Sequence, residues 1–86
     1  MLADSQSVGI TVSLIRTLGD IGNSESLPVL VPFADSDSER IRRQTAVTLG
    51  EMGEDAVALL EQLAADHSLA VRSAASSSLD GINGDR

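Results

Sequence analysis

One thirteen-residue pattern occurs three times in this chain at nearly constant spacing. Its middle copy begins at Ile41 and ends at Gly53, and it places apolar or small residues on one side of a helix. The first two copies end in Leu-Gly-acid-apolar-Gly, at 18–22 and 49–53, and the third ending begins after almost the same interval, at Leu79. A period of roughly 30 residues predicts a solenoid of stacked helix pairs.

The first and third copies repeat the apolar offsets of the middle copy. In the first copy the predicted buried stripe consists of Ile10, Leu14, Leu18 and Ile21. In the third copy it consists of Val71, Ala75, Leu79 and Ile82. The glycines expected to end the helices of the first two copies are Gly19, Gly22, Gly50 and Gly53.

Five helices follow from the pattern and its polar turns. They are predicted to run from Asp4, Ser5 or Ser7 to about 20, over 27–34, from a Ser36–Glu39 capping box to Gly53, over about 56–65, and over about 69–80. Asp55 and Ser68 are the predicted N-caps of the last two helices. Because the turns are short, sequential helices should pack antiparallel. The expected fold is all-α, with one domain over 1–86 divided at about 5–35, 36–66 and a half repeat at 68–82.

Composition excludes several classes of function. The chain has no cysteine, so thiolate metal sites and thiol nucleophiles are excluded, and its net charge of −7 opposes binding to nucleic acid. No apolar run reaches the roughly 18 residues of a membrane span, which predicts a cytoplasmic protein without a membrane partner. Six arginines occur with no lysine and thirteen acidic residues. That balance fits either a halophile's high intracellular salt or a GC-rich coding bias, and the two explanations stay open.

These residues resemble the HEAT-like repeats of the phycocyanobilin-lyase type. Ile41-Arg42 and Val71-Arg72 match the opening dipeptide of that family's first helix, and Leu18-Gly19 and Leu49-Gly50 match its closing pair. Asp35 and Asp66 are matched to its turn aspartate. The resemblance implies a right-handed α-solenoid of about two and a half repeats. It also implies a structural inter-repeat ladder of charged residues, in which Asp35 pairs with Arg42 and Asp66 pairs with Arg72.

Three departures from the family pattern affect the ends of the solenoid. Thr11 stands where the arginine is expected in the first copy, which is consistent with a capping repeat, and Asp80 replaces the glycine of the third. The last unit lacks a second helix. The fifth helix therefore either belongs to a longer solenoid or uses its unpaired face to bind a partner, which includes the possibility of a homodimer.

The residues that suggest catalysis have simpler structural explanations. His67 is the only histidine and has no second histidine or cysteine beside it, so we interpret it as a polar turn residue rather than a metal ligand. The serines at 76–78 stand in no nucleophile elbow, and no phosphate-binding glycine motif is present. We therefore expect no cofactor, no metal and no catalytic residue.

The first functional hypothesis is a non-catalytic scaffold module. In HEAT-like families the second helices line a concave face that holds protein partners, and the resemblance places the outward residues Glu25, Val31, Ala58, Glu61, Gln62 and Ala65 there. The alternative is a bilin-lyase-like enzyme or enzyme subunit that handles a tetrapyrrole on a client protein. With one aromatic residue, Phe33, and one histidine, the chain offers little to stack on or protonate such a ligand. A bilin absorbance titration separates the two hypotheses.

Overall fold

The computed structural model of the chain describes residues 3–21 and 24–84. Within these ranges it contains five α-helices, two short 3-10 helices and no strand. The α-helices are α1 (Ala3–Ile21), α2 (Leu27–Ala34), α3 (Glu39–Leu49), α4 (Val57–Leu63) and α5 (Leu69–Gly84). The 3-10 helices, Ser24–Ser26 and Gly53–Ala56, lead directly into α2 and α4. The predicted all-α, solenoid-like fold with five helices is confirmed.

The helices are arranged in two layers. The first helices, α1, α3 and α5, pack side by side with α3 in the middle. The second helices, α2 and α4, contact each other and pack on α3 and α5, respectively. Each second helix therefore packs mainly on the first helix that follows it in the chain.

The core lies between the two layers and is built from aliphatic side chains. Its fully buried members include Ile15, Leu30, Leu49, Leu60 and Val71. Buried polar groups are satisfied locally: the Thr45 hydroxyl donates to the Ile41 carbonyl at 2.7 Å, as the low dielectric of a core requires. No buried side-chain nitrogen or oxygen of the described residues lacks a hydrogen-bond partner.

The buried stripe predicted for α1 is wrong at three of its four positions, and Leu18 is partly buried against the core. Ile10, Leu14 and Ile21 are 71%, 50% and 63% exposed, and the helix instead buries Val12 and Ile15. The equivalent stripes of α3 and α5 are buried, apart from a half-buried residue near the end of α5. The difference follows from the packing order, because a second helix precedes and covers α3 and α5, whereas no described helix precedes α1.

Two of the four glycines predicted to end helices have another role. Gly19 lies inside α1, and a Cβ there would be 2.7 Å from Cγ2 of Thr48 on α3. A Cβ on Gly50 would lie 2.7 Å from Oγ of Ser78 on α5. Real Cβ atoms do not approach so closely, so both glycines let neighbouring first helices come into contact. Gly50 is also the C-cap of α3, which ends at Leu49, whereas Gly53, with φ +77°, begins the following 3-10 helix. Gly22 lies outside the described residues.

Several predicted helix caps differ from the structure. α3 is capped by Ser38, whose hydroxyl accepts from the Ile41 N–H at 3.3 Å, so the predicted Ser36–Glu39 capping box is wrong. Asp55 lies inside a 3-10 helix and does not cap α4, which begins at Val57.

α3 ends at Leu49 rather than at the predicted Gly53, and α4 ends at Leu63 rather than at about 65. The other boundaries either shift outward or agree with the prediction. Ser68 does act as an N-cap, since its hydroxyl accepts from the Val71 N–H at 3.4 Å. α1 begins at Ala3, ahead of its three predicted caps, and α5 continues beyond Asp80 to Gly84. α2 covers 27–34 as predicted.

Candidate functional site

The six residues predicted to bind a partner all lie on the side of the molecule formed by α2 and α4. All six are exposed. Val31 is on α2, whereas Ala58, Glu61 and Gln62 are on α4. Glu25 belongs to the 3-10 helix before α2, and Ala65 follows α4. Because α2 contacts α4, these residues belong to neighbouring elements.

The exposed surface of α2 is larger and more apolar than predicted. Val29 and Val31 are 51% and 46% exposed, and Pro28 and Pro32 are exposed beside them. Pro28 stands in the first turn of the helix, where its missing N–H leaves no hydrogen bond unmade. Sequence reasoning missed three of these four residues. The available signal was the absence of any charged or polar residue from 27–34, which leaves an apolar surface whichever face is buried.

A network of hydrogen bonds centred on Arg42 joins α3 to the turn before α5. Arg42 Nε donates to Oδ2 of Asp66 at 2.8 Å, and its Nη2 donates to Oδ1 at 3.3 Å. The two side chains are only 8% and 10% exposed. A bidentate, charge-assisted pair of this kind fixes geometry as well as contributing energy. A third bond, from Nη1 to the Ser36 carbonyl at 2.8 Å, ties Arg42 to the turn before its own helix.

The predicted pairing of Asp35 with Arg42 is therefore wrong. Asp35 is exposed, and Ser36 is the structural counterpart of Asp66. In the turn before α3, Ser36 Oγ accepts a hydrogen bond from the Ser38 N–H at 3.1 Å. In the turn before α5, Asp66 Oδ1 accepts one from the Ser68 N–H at 2.9 Å. Arg72 Nη1 likewise donates to the Asp66 carbonyl at 2.9 Å. Arg72 is thus held by the backbone of Asp66 rather than by its carboxylate.

The environment of Asp66 favours its ionised form. Burial alone would raise the pKa of this carboxyl. The side-chain hydrogen bonds from Arg42, the hydrogen bond from the Ser68 N–H and the positive charge of Arg42 outweigh that burial and lower the pKa below its ordinary value of 3.8. The carboxylate is therefore charged throughout the physiological range, as a structural ion pair requires.

His67 lies at the edge of this network. Its Nε2 is 3.4 Å from Nη2 of Arg42, and its side chain is largely exposed. Within the described part of the chain no three His, Asp or Glu side chains are placed so that they could hold a metal ion. The imidazole borders the ion pair, with its Nδ1 3.8 Å from Oδ1 of Asp66.

Among the described residues, the contact between α1 and the turn before α3 has no such ion pair. A groove of about 440 Å³ occupies this place, lined by Ser7, Val8, Thr11, Ser36, Asp37, Ser38 and Ile41. Thr11 is the counterpart of Arg42, and Ser36 is the counterpart of Asp66. The contact of α3 with the turn before α5 holds a guanidinium and a carboxylate. The contact of α1 with the turn before α3 therefore has two short hydroxyl side chains and open space in their place.

The outward face of α5, the predicted homodimer surface, is polar except for Leu69 at the start of the helix, which is 68% exposed. Ser73, Ser76, Ser77 and Asp80 are exposed on this helix. A second groove, of about 470 Å³, borders the half-buried Arg72 between Ala64, Leu69 and these serines. No described carboxylate pairs with Nε and Nη2 of Arg72. The homodimer stays a prediction.

Comparison with known families agrees with this architecture. The family model for HEAT repeats matches residues 1–80, and its description names no phycocyanobilin-lyase subtype. A search of curated proteins finds no match. None of the helices in 3–21 and 24–84 combines the length and hydropathy needed to cross a bilayer. Since the family match covers almost the whole sequence, the chain belongs to the HEAT-repeat family.

Proposed function

We propose that this chain is a non-catalytic module that binds a protein partner on the side formed by α2 and α4. The observation that carries the proposal is the exposed surface of α2, where two valines and two prolines lie together without a charge. Contiguous exposed apolar side chains are typical of protein-interaction surfaces. HEAT repeats commonly serve as protein-binding scaffolds, which supports the same function.

The chemistry of the partner follows from the neighbouring helix. α4 contributes the small apolar Ala58 together with Glu61 and Gln62, and Ala65 follows it, all exposed. With a net charge of −7, the molecule attracts basic surfaces and repels acidic ones. The expected partner is a protein whose contact surface has an apolar centre and a basic or mixed rim.

The test is affinity capture followed by direct titration. The chain is compared with Val29→Ser/Val31→Ser, which removes the apolar centre, and with Glu61→Arg/Gln62→Arg, which reverses the rim charge. The protein captured by the unchanged chain is identified, purified and titrated against each form. We expect both double variants to weaken its binding by more than about tenfold, which corresponds to about 1.4 kcal/mol.

The matched control is Val47→Ser. Val47 is a valine on α3, a first helix, and is exposed to nearly the same extent as Val31, so the change removes the apolar surface of one such valine from another part of the molecule. It should leave binding unchanged, and circular dichroism should show that all variants remain folded. Equal affinity of every variant for the captured protein would contradict the proposal.

A further inference from the structure

The exposed apolar residues of α1 have two buried sets of counterparts in the same molecule. We call Ile10, Leu14 and Ile21 the α1 stripe. Its counterparts on α3 are Ile41, Thr45 and Met52, and those on α5 are Val71, Ala75 and Ile82. All six counterparts are buried. This fold therefore buries the equivalent surface of a first helix wherever a second helix packs on that first helix.

The internal copies show which kind of element covers such a stripe. α2 packs on α3, and α4 packs on α5. Each second helix has only seven or eight residues and is preceded by a 3-10 turn. α2 buries Leu30 and Ala34, and α4 buries Leu60 and Leu63. The covering element is therefore a short helix with two buried apolar residues three or four positions apart.

We propose that the α1 stripe binds a short amphipathic helix of a partner protein, seated as α4 is seated on α5. The stripe extends from Ile10 to Ile21, over about 17 Å of helix, which two turns of helix with a preceding turn would cover. Ser7, Ser13 and Thr17, which are exposed beside most of its length, are uncharged, and Asp20 is the exposed charge next to Ile21. Recognition at this site therefore depends on apolar side chains and their spacing rather than on charge.

A second copy of this chain is a poor occupant. Both of its second helices already pack on its own α3 and α5, so its described residues offer no free element of the required kind. Two chains with a net charge of −7 each also repel one another. A partner helix faces neither obstacle unless it is itself strongly acidic.

The test is an NMR titration of the isotope-labelled full chain with a synthetic peptide. The peptide has the sequence of residues 53–68, which contains α4 and its flanking turns, and high salt screens its acidic charges. A free peptide of this length is only marginally helical, so measurements extend to millimolar peptide. We expect saturable amide shifts concentrated in α1. A peptide with Leu60→Ser and Leu63→Ser should produce none.

Protein variants locate the binding site. Ile10→Ser/Leu14→Ser should abolish the shifts without loss of fold, because both side chains are already exposed. Val47→Ser and Val29→Ser/Val31→Ser should leave them unchanged, which separates this site from the proposed α2 and α4 surface. The proposal is overturned if the peptide produces no shifts, if shifts persist in Ile10→Ser/Leu14→Ser, or if sedimentation shows a dimer of the chain that this variant dissociates.

Discussion

The two contacts between first helices share one feature and differ in another. In both, a glycine of the earlier helix admits a side chain of the later one, Thr48 against Gly19 and Ser78 against Gly50. The α3–α5 contact adds polar bonds, including Arg42 to Asp66 and a Ser68 hydroxyl that donates to Glu39 at 2.7 Å. The α1–α3 contact has a groove instead of the ion pair.

This comparison separates what sets the helix spacing from what reinforces it. α1 and α3 come together without the ion pair, so the ion pair is not needed for the glycine contact to form. Apolar residues of α1, including Val12 and Ile15, supply burial there. On α3 the residue equivalent to Val12 is Arg43, which is exposed. The second contact therefore relies more on polar bonds and the first more on apolar surface.

Removal of Arg42 should lower the stability of the α3–α5 contact more than any other single change. Arg42→Ala removes the cation from the largely buried carboxylate of Asp66, and loss of hydrogen bonds to a charged group typically costs about 1.5–3 kcal/mol. That loss is large for an 86-residue chain, so the variant should be mostly unfolded or have a greatly reduced urea midpoint.

Arg43→Ala is the control, because Arg43 is exposed on the same helix and should change stability by less than about 0.5 kcal/mol. Arg42→Met/Asp66→Leu, which removes both charges, should recover most of the loss. Equal urea midpoints for Arg42→Ala and Arg43→Ala would show that the ion pair does not stabilise the α3–α5 contact.

The next effect concerns the shared glycine contact. In Gly50→Ala the new Cβ would meet Cβ of Ser78 at 2.9 Å, and overpacking of this kind typically costs about 1–3 kcal/mol. Gly9→Ala is the matched control, since Gly9 lies within α1 with nothing near its Cβ. It should instead stabilise the chain by about 0.5–1 kcal/mol through helix propensity. Urea unfolding measures both, and changes of the same sign would contradict the close-approach role of Gly50.

A smaller effect should follow from copying the ion pair into the first contact. Thr11→Arg and Ser36→Asp place the Arg42 and Asp66 side chains at the equivalent positions, where the groove gives them room. In a double-mutant cycle, urea unfolding should show a favourable coupling of about 1 kcal/mol between the two substitutions. Additive effects of the two changes would mean that the two turns are not equivalent in geometry.

The smallest effect is a pH dependence. Because the pKa of Asp66 is lower in the folded chain than its ordinary value, the carboxylate contributes stability that is complete above the ordinary pKa. That contribution is lost as the pH falls through the lowered pKa. As the pH falls below about 5, the free energy of unfolding should therefore fall more steeply for the unchanged chain than for Asp66→Asn. Parallel profiles would contradict the shift.

The fold could be predicted from the sequence because every copy of the pattern carries the same helical spacing. The residues that α1 buries could not be predicted, because the spacing shows which residues share a face but not which face another helix covers. Ile10 and Ile41 occupy the same position in the pattern, yet only Ile41 has a helix packed over it. The role of Gly19 and Gly50 was missed for a similar reason, since a glycine near a helix end indicates a stop unless a neighbouring helix is known to approach it.

Arg42, Asp66 and Arg72 were predicted as members of the charged network, but Ser36 was not, and the pairing between the members was predicted wrongly. The interval from Asp35 to Asp66 equals the interval between the first two pattern endings, which suggested that the two aspartates were equivalent. The interval between the capping serines Ser38 and Ser68 is shorter by one position and shows the true register, in which Ser36 corresponds to Asp66. The exposed positions on α4 followed from helical periodicity, whereas α2 has too little polarity for periodicity to distinguish its faces.

Asp80 occupies the third position of the glycine series, and its consequence concerns filament growth. If copies of this chain stacked end to end with the same spacing, the residue at position 80 would meet Thr17 of the next copy, as Gly50 meets Ser78. At Gly50 even one added carbon would lie under 3 Å from its neighbour, and aspartate adds a charged carboxylate as well. Heterologous contacts that repeat without closing produce fibres. The side chain of Asp80 thus opposes end-to-end polymerisation of the chain through the kind of helix contact that joins α3 to α5.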